Sequence, residues 1–122
     1  MPRSLVYAKA SETRDPAFRT EAFCSVLFYT TLPGDTATFM KRAVDFSNDV
    51  LWGTLGANVV MHPKTMKRHV GALDDALARL RYGCIAVNTW TGVAFVLTET
   101  AVGRLSRACA QRYCQRRRHG AQ

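Results

Sequence analysis

The chain has 122 residues, which is enough for one domain with a modest core. Its hydrophobic fraction of 48% excludes a chain disordered by composition, and no run approaches the roughly 20 apolar residues that a membrane-spanning helix needs. The formal charge of +8 is unevenly placed: residues 104–122 hold six Arg and no acid, leaving 11 basic against 9 acidic residues elsewhere. The basic balance therefore belongs to a C-terminal tail and does not mark the body as a nucleic-acid binder.

Residues 1–20 mix charges with Pro2 and Pro16 without a sustained period, so an irregular lead-in is expected. They contain no continuous apolar segment of the kind that directs secretion, and the expected location is cytoplasmic. Over 23–31 the run Phe-Cys-Ser-Val-Leu-Phe-Tyr-Thr-Thr is β-rich and apolar on both alternating faces, which predicts a strand covered on both sides. Pro33 and Gly34 end it. Asp35 then supplies a helix N-cap, and Phe39, Met40, Ala43, Val44 and Phe46 form the apolar face of a helix that stops near Asn48.

A second strand is expected over 56–61, closed by His62, with Pro63 as the first residue of the next helix. Met66, Val70, Leu73, Leu77 and Leu80 recur at spacings of four, three, four and three, which predicts one continuous helix stopped by Gly83 in a left-handed conformation. A third strand follows over 84–88. The order β-α-β-α-β predicts an α/β fold with a mostly parallel sheet in three layers and right-handed crossovers, followed by the irregular basic tail. The four cysteines form no C-x-x-C pair, and the two in strand-like runs, Cys24 and Cys84, are expected as reduced, buried thiols.

Three segments, in order and at helix-sized gaps, carry a resemblance. Glu21-Ala22-Phe23-Cys24-Ser25-Val26 resembles the pattern E-x-F-G-P-V, with Cys24 and Ser25 where Gly and Pro are usual. Ala43-Val44-Asp45-Phe46-Ser47-Asn48-Asp49, followed by Leu51-Trp52-Gly53-Thr54-Leu55-Gly56-Ala57, is similar to A-x-x-x-A-N-x-x-x-Y-G-L-x-A. Leu80-Arg81-Tyr82-Gly83-Cys84-Ile85-Ala86-Val87-Asn88 resembles L-x-x-G-x-V-x-V-N. Each is weak alone; together they resemble the C-terminal part of the catalytic domain of the aldehyde dehydrogenase superfamily, over roughly 18–103.

The resemblance implies a fragment of an NAD(P)-dependent aldehyde dehydrogenase or acyl reductase-like oxidoreductase. It divides the chain into the lead-in 1–20, a catalytic-domain segment 21–103 and the tail 104–122. In that family the Glu of E-x-F binds the hydroxyls of the nicotinamide-side ribose, a task suited to a carboxylate because two oxygens accept from two neighbouring hydroxyls. Glu21 inherits the role and Phe23 lies beside the same sugar; on composition alone Glu21 is an ordinary solvated charge. Trp90 and Phe95 fall where the family approaches its aldehyde or acyl pocket, although an aromatic covering the core is as good a reading.

The family's nucleophilic cysteine, general-base glutamate and dinucleotide-binding domain precede the E-x-F segment, and the chain carries no phosphate-cradling glycine loop. No catalytic residue is therefore assigned. NAD or NADP belongs to the parent family, and no cofactor is expected on this chain alone. Cys109, Cys114 and His119 lack a second ligand pair, so no metal is expected.

The tail departs from the family's Gly-Gly-aromatic and Ser-Gly-x-Gly continuation. Codons permitted for residues 103–122, read one base on, encode Gly-Ala-Tyr-Pro-Gly-His-Ala-Leu and later Ser-Gly-Val-Gly, which resembles a family ending. A change of reading frame at or just before Gly103 is therefore expected, and an unrelated peptide in the gene's own shifted frame counts against it. Two other functions stay open. One is a small basic α/β protein that binds nucleic acid through Arg104, Arg107, Arg112, Arg116, Arg117, Arg118 and Tyr113, with strong salt dependence. The other is the C-terminal half of a split oxidoreductase, whose cofactor domain comes from a separate chain. Self-association through apolar surface and unpaired strand edges is expected, and no membrane partner.

Overall fold

A computed structural model describes residues 3–21 and 23–95. The chain falls into two compact units, Met1–Gly53 and Thr54–Gln122. Both are α/β, and every strand pairing among the described residues is parallel.

The first unit holds β1 (Ser4–Tyr7), α1 (Pro16–Arg19), β2 (Val26–Tyr29) and α2 (Thr36–Asp49). β1 and β2 form a two-stranded parallel sheet with Ser4 opposite Val26 and Tyr7 opposite Tyr29. The lead-in is thus not irregular throughout. Its Ser-Leu-Val-Tyr run gains ladder hydrogen bonds from β2, and the Asp15-Pro16 pair starts a helical turn. Asp15 Oδ1 accepts from the Ala17 N–H at 2.8 Å, and Pro16 stands where a missing N–H has no consequence.

β2 is shorter than the apolar run predicts and is covered on one face only. Residues alternate between half-buried and exposed along it, and Leu27 and Tyr29 are 66% and 45% exposed. Leu5 and Tyr7 of β1 share that open face, and the Tyr7 and Tyr29 rings meet at 5.3 Å. α2 begins where the Asp35 cap predicts, with Asp35 Oδ1 accepting from Thr38 N–H at 3.0 Å. Met40 and Val44 on α2 are buried with Phe18 and Ala8, and Phe18 meets Phe46 edge to face at 5.1 Å.

The second unit holds β3 (Gly56–Val59), α3 (Pro63–Arg68), α4 (Val70–Arg79), β4 (Cys84–Val87) and a 3-10 turn (Thr91–Phe95). β3 and β4 pair in parallel, Gly56 opposite Cys84 and Val59 opposite Val87, so the four strands form two separate two-stranded sheets. Leu73 and Ala76 of α4 and Ala86 of β4 are its buried apolar residues.

The single helix expected from the Met66-to-Leu80 period is broken at His69 (φ −122°, ψ 37°). The His69 N–H is shared between the carbonyls of Thr65 and Met66, a tightened last turn that ends α3. α4 ends at Leu80, whose backbone is extended, and not at Gly83, which has no positive φ. Gly83 is instead buried, and its N–H donates to Thr54 O at 2.8 Å to lead β4 into register.

Among the described residues no helix is long and apolar enough to cross a membrane. Cys24 is exposed and Cys84 half-buried, both free. The burial expected for Cys24 fails because the strand begins two residues after it.

Candidate functional site

Glu21 lies in the loop between α1 and β2. Phe18, buried against Phe46, anchors that loop from the inside, and the Phe18 carbonyl accepts the Trp52 N–H at 2.8 Å. This bond ties the segment after α2 to the segment before β2, and so brings Glu21 and Gly53, from two sequence motifs and 32 residues apart, together. Gly53 follows with φ +102°, a region that L side chains rarely adopt. A Cβ on Gly53 would stand 3.1 Å from Glu21 Oε1 and 3.9 Å from its Cδ, so the carboxylate lies directly over the bare Cα.

Glu21 is exposed and, among the described residues, its carboxylate has no hydrogen-bond or ion-pair partner. Phe23, two residues on, is 93% exposed, and Trp52, next to Gly53, is 69% exposed. An exposed carboxylate on a loop that also carries exposed aromatic residues suits a polyhydroxylated ligand with an apolar face. Cys24, which follows Phe23 in the chain, is a free and exposed thiol.

Trp90 and Phe95 belong to the second unit, on the loop and 3-10 turn that follow β4. Two asparagines hold that region. Asn88, at φ 53°, accepts the Met61 N–H through Oδ1 at 2.8 Å and donates from Nδ2 to Met61 O at 2.8 Å. Its Nδ2 also lies 3.1 Å from Met66 Sδ. Asn58 Oδ1 accepts the Thr91 N–H at 3.0 Å. The loops leaving the carboxyl ends of β3 and β4 are thus clamped to each other by side-chain amides. The carboxyl ends of parallel strands are where open α/β sheets commonly receive ligands.

Trp90 is 71% exposed and its indole rests on Gly92, where a Cβ would fall 2.3 Å from Cζ2. Phe95 closes the 3-10 turn.

A groove of about 480 Å³ runs along α2 beside Ala10, Leu32 and Pro33, and contains Arg42, Phe46 and Val50. None of the four sequence-predicted site residues lines it, and Arg42 is already engaged, donating to Pro33 O at 2.7 Å. Among the described residues no group of three or more His, Cys, Asp or Glu converges as a metal site. The arginines of the tail, with Tyr113, Cys109, Cys114 and His119, lie outside the described residues.

Sequence reading found Glu21 and Phe23 through their motif but missed Gly53, Asn58 and Asn88. The signal for Asn88 was present: an Asn at the end of a strand tolerates a left-handed backbone and offers both a donor and an acceptor. No protein-family model, curated protein or solved structure matches the chain.

Proposed function

We propose that the chain is a segment from the catalytic domain of an aldehyde-dehydrogenase-type, NAD(P)-dependent oxidoreductase, retaining the ribose-contacting carboxylate at Glu21. In the family it resembles, the nucleophile and general base precede the E-x-F segment, so on this reading the chain depends on residues supplied from elsewhere to turn over an aldehyde. The observation that carries the reading is the meeting of the first two resembling motifs. Glu21 of the E-x-F segment lies over Gly53 of the Trp-Gly segment, with Trp52 bonded to Phe18.

The chemistry follows from the carboxylate. A vicinal diol presents two O–H donors about as far apart as the two oxygens of Glu21, and a charged acceptor makes each bond shorter and stronger than a neutral one would. Phe23 offers apolar surface to the sugar's ring face, and the exposed indole of Trp90 belongs to the aldehyde or acyl side of the parent enzyme. NAD or NADP supplies hydride chemistry in that parent. Here the chain offers one contact and no cradle for the pyrophosphate.

The test is an NMR titration of the full chain with nicotinamide mononucleotide, which carries only the ribose in question. A saturable response at millimolar ligand is expected near residues 21–23 and 52–53, and Glu21→Gln should weaken it about tenfold, the loss expected for a charge-assisted pair of bonds. An unaltered response in Glu21→Gln, or none in either protein, would remove the reading.

The open face of Leu5, Tyr7, Leu27 and Tyr29 favours a second reading, in which a separate chain carrying the cofactor domain and nucleophile packs here. Parallel sheets are ordinarily covered on both faces, and this one is covered on one.

A further inference from the structure

Glu21 is an exposed side chain with several rotatable bonds and no polar partner among the described residues, so nothing in its own chemistry fixes the direction of its carboxylate. The loop opposite does. The Trp52 N–H bond to Phe18 O, at 2.8 Å, holds the backbone of residues 52–53 at a set height beneath the loop that carries Glu21. Gly53 then turns with φ +102° and presents a bare Cα, over which Oε1 lies at a distance a Cβ would reduce to 3.1 Å. That separation is tighter than ordinary van der Waals contact, so a side chain on residue 53 requires the carboxylate to give way by a few tenths of an ångström. The turn and the vacancy are independent requirements, and glycine alone meets both.

We propose that Gly53 is a positioning residue for Glu21: its missing side chain leaves the space that the Oε1 end of the carboxylate occupies, and so sets where the carboxylate meets a ligand diol. This inference deepens the reading of Glu21 as a ribose contact and rests on it. Gly53 itself touches no ligand. Its effect passes through the carboxylate, and Trp52 and Phe18 keep that space in register.

Two measurements on the full chain test it. In the first, nicotinamide mononucleotide is titrated into the wild type, Glu21→Gln, Gly53→Ala and the double variant Glu21→Gln/Gly53→Ala. Gly53→Ala is expected to weaken binding severalfold and by less than Glu21→Gln does, because it displaces the carboxylate without removing its charge. The double variant should bind no more weakly than Glu21→Gln alone, because Gly53 acts only through the carboxylate. Binding by Gly53→Ala equal to the wild type, while Glu21→Gln loses it, overturns the role of Gly53 and leaves Glu21 as the ribose contact. Failure of Glu21→Gln to alter binding overturns both.

The second measurement stands even where Gly53→Ala binds poorly because its backbone is strained. Thermal midpoints are compared for Gly53→Ala made in the wild type and in Glu21→Ala. Strain from the positive φ is common to both backgrounds, so a smaller loss in Glu21→Ala isolates the push of the new methyl on the carboxylate. Equal losses in the two backgrounds would mean that residue 53 and Glu21 are uncoupled, and the proposal would be wrong.

Discussion

The loop around Glu21 and the loops around Asn88 hold chemistry-bearing residues at similar places, next to the ends of short parallel strands, but by opposite means. In the first unit the fixing is done by backbone: Trp52 N–H to Phe18 O, and a glycine with φ +102°. In the second it is done by side chains, with the Asn58 and Asn88 amides bonded to the main chain of Thr91 and Met61. A backbone device leaves side chains free for ligands, and Glu21, Phe23 and Trp52 are all exposed. An amide clamp consumes its side chain's donors and acceptor, so Asn88 is a structural residue, and the exposed Trp90 beside it is the one left for a ligand.

The largest expected effect comes from breaking the clamp. Asn88→Ala loses two side-chain bonds to Met61 and forces a left-handed backbone on Ala, at a cost of about 2 kcal/mol in a denaturant titration. Asn88→Gly keeps the backbone freedom and loses only the bonds, so about 1 kcal/mol is expected, and the difference between the two measures the conformational share. Equal losses would assign the whole effect to the amide.

A smaller effect is expected at Gly92. Alanine there collides with the Trp90 indole, but that ring is 71% exposed and can swing away. Stability should change by under about 1 kcal/mol while the Trp90 fluorescence shifts to a more solvated emission. A large loss of stability would show the indole to be a packing element after all. The smallest stability effect belongs to Leu27→Lys, at a position 66% exposed on the open sheet face. It should move the unfolding midpoint by no more than about 0.5 kcal/mol and lower self-association in sedimentation, since a charge on an uncovered apolar face opposes pairing.

The parts of the fold that follow from short-range chemistry were legible. The Asp35 cap and the Phe39-to-Phe46 face defined α2 to within a residue of Thr36–Asp49, and Pro63 marked the start of α3. Of the parallel pairings, that of β3 with β4 across a helical crossover was legible, whereas the one sheet expected to join β2 to them is two separate two-stranded sheets. What the residues hid depended on partners distant in sequence. β1 is four residues between charges, and it is a strand because β2 lies beside it. The break at His69 is invisible to a period that continues in phase from Met66 through Val70 to Leu80. At the candidate site, Glu21 and Phe23 could be named from a motif, whereas Gly53 could be recognised only once a bond from Trp52 to Phe18 had closed the distance.

The strand pairings also set the order in which the chain can acquire structure. Partners in the β1–β2 ladder are 22 residues apart and those in β3–β4 are 28 apart, so each ladder closes a loop of nearly the same modest length. Neither needs contacts from the far end of the chain, which is the condition for rapid, local nucleation during synthesis. The second ladder is complete at Val87, before Gly103 leaves the ribosome. Whatever amino acids a ribosome adds beyond Gly103, in either reading frame, they arrive after both ladders have had the residues they need.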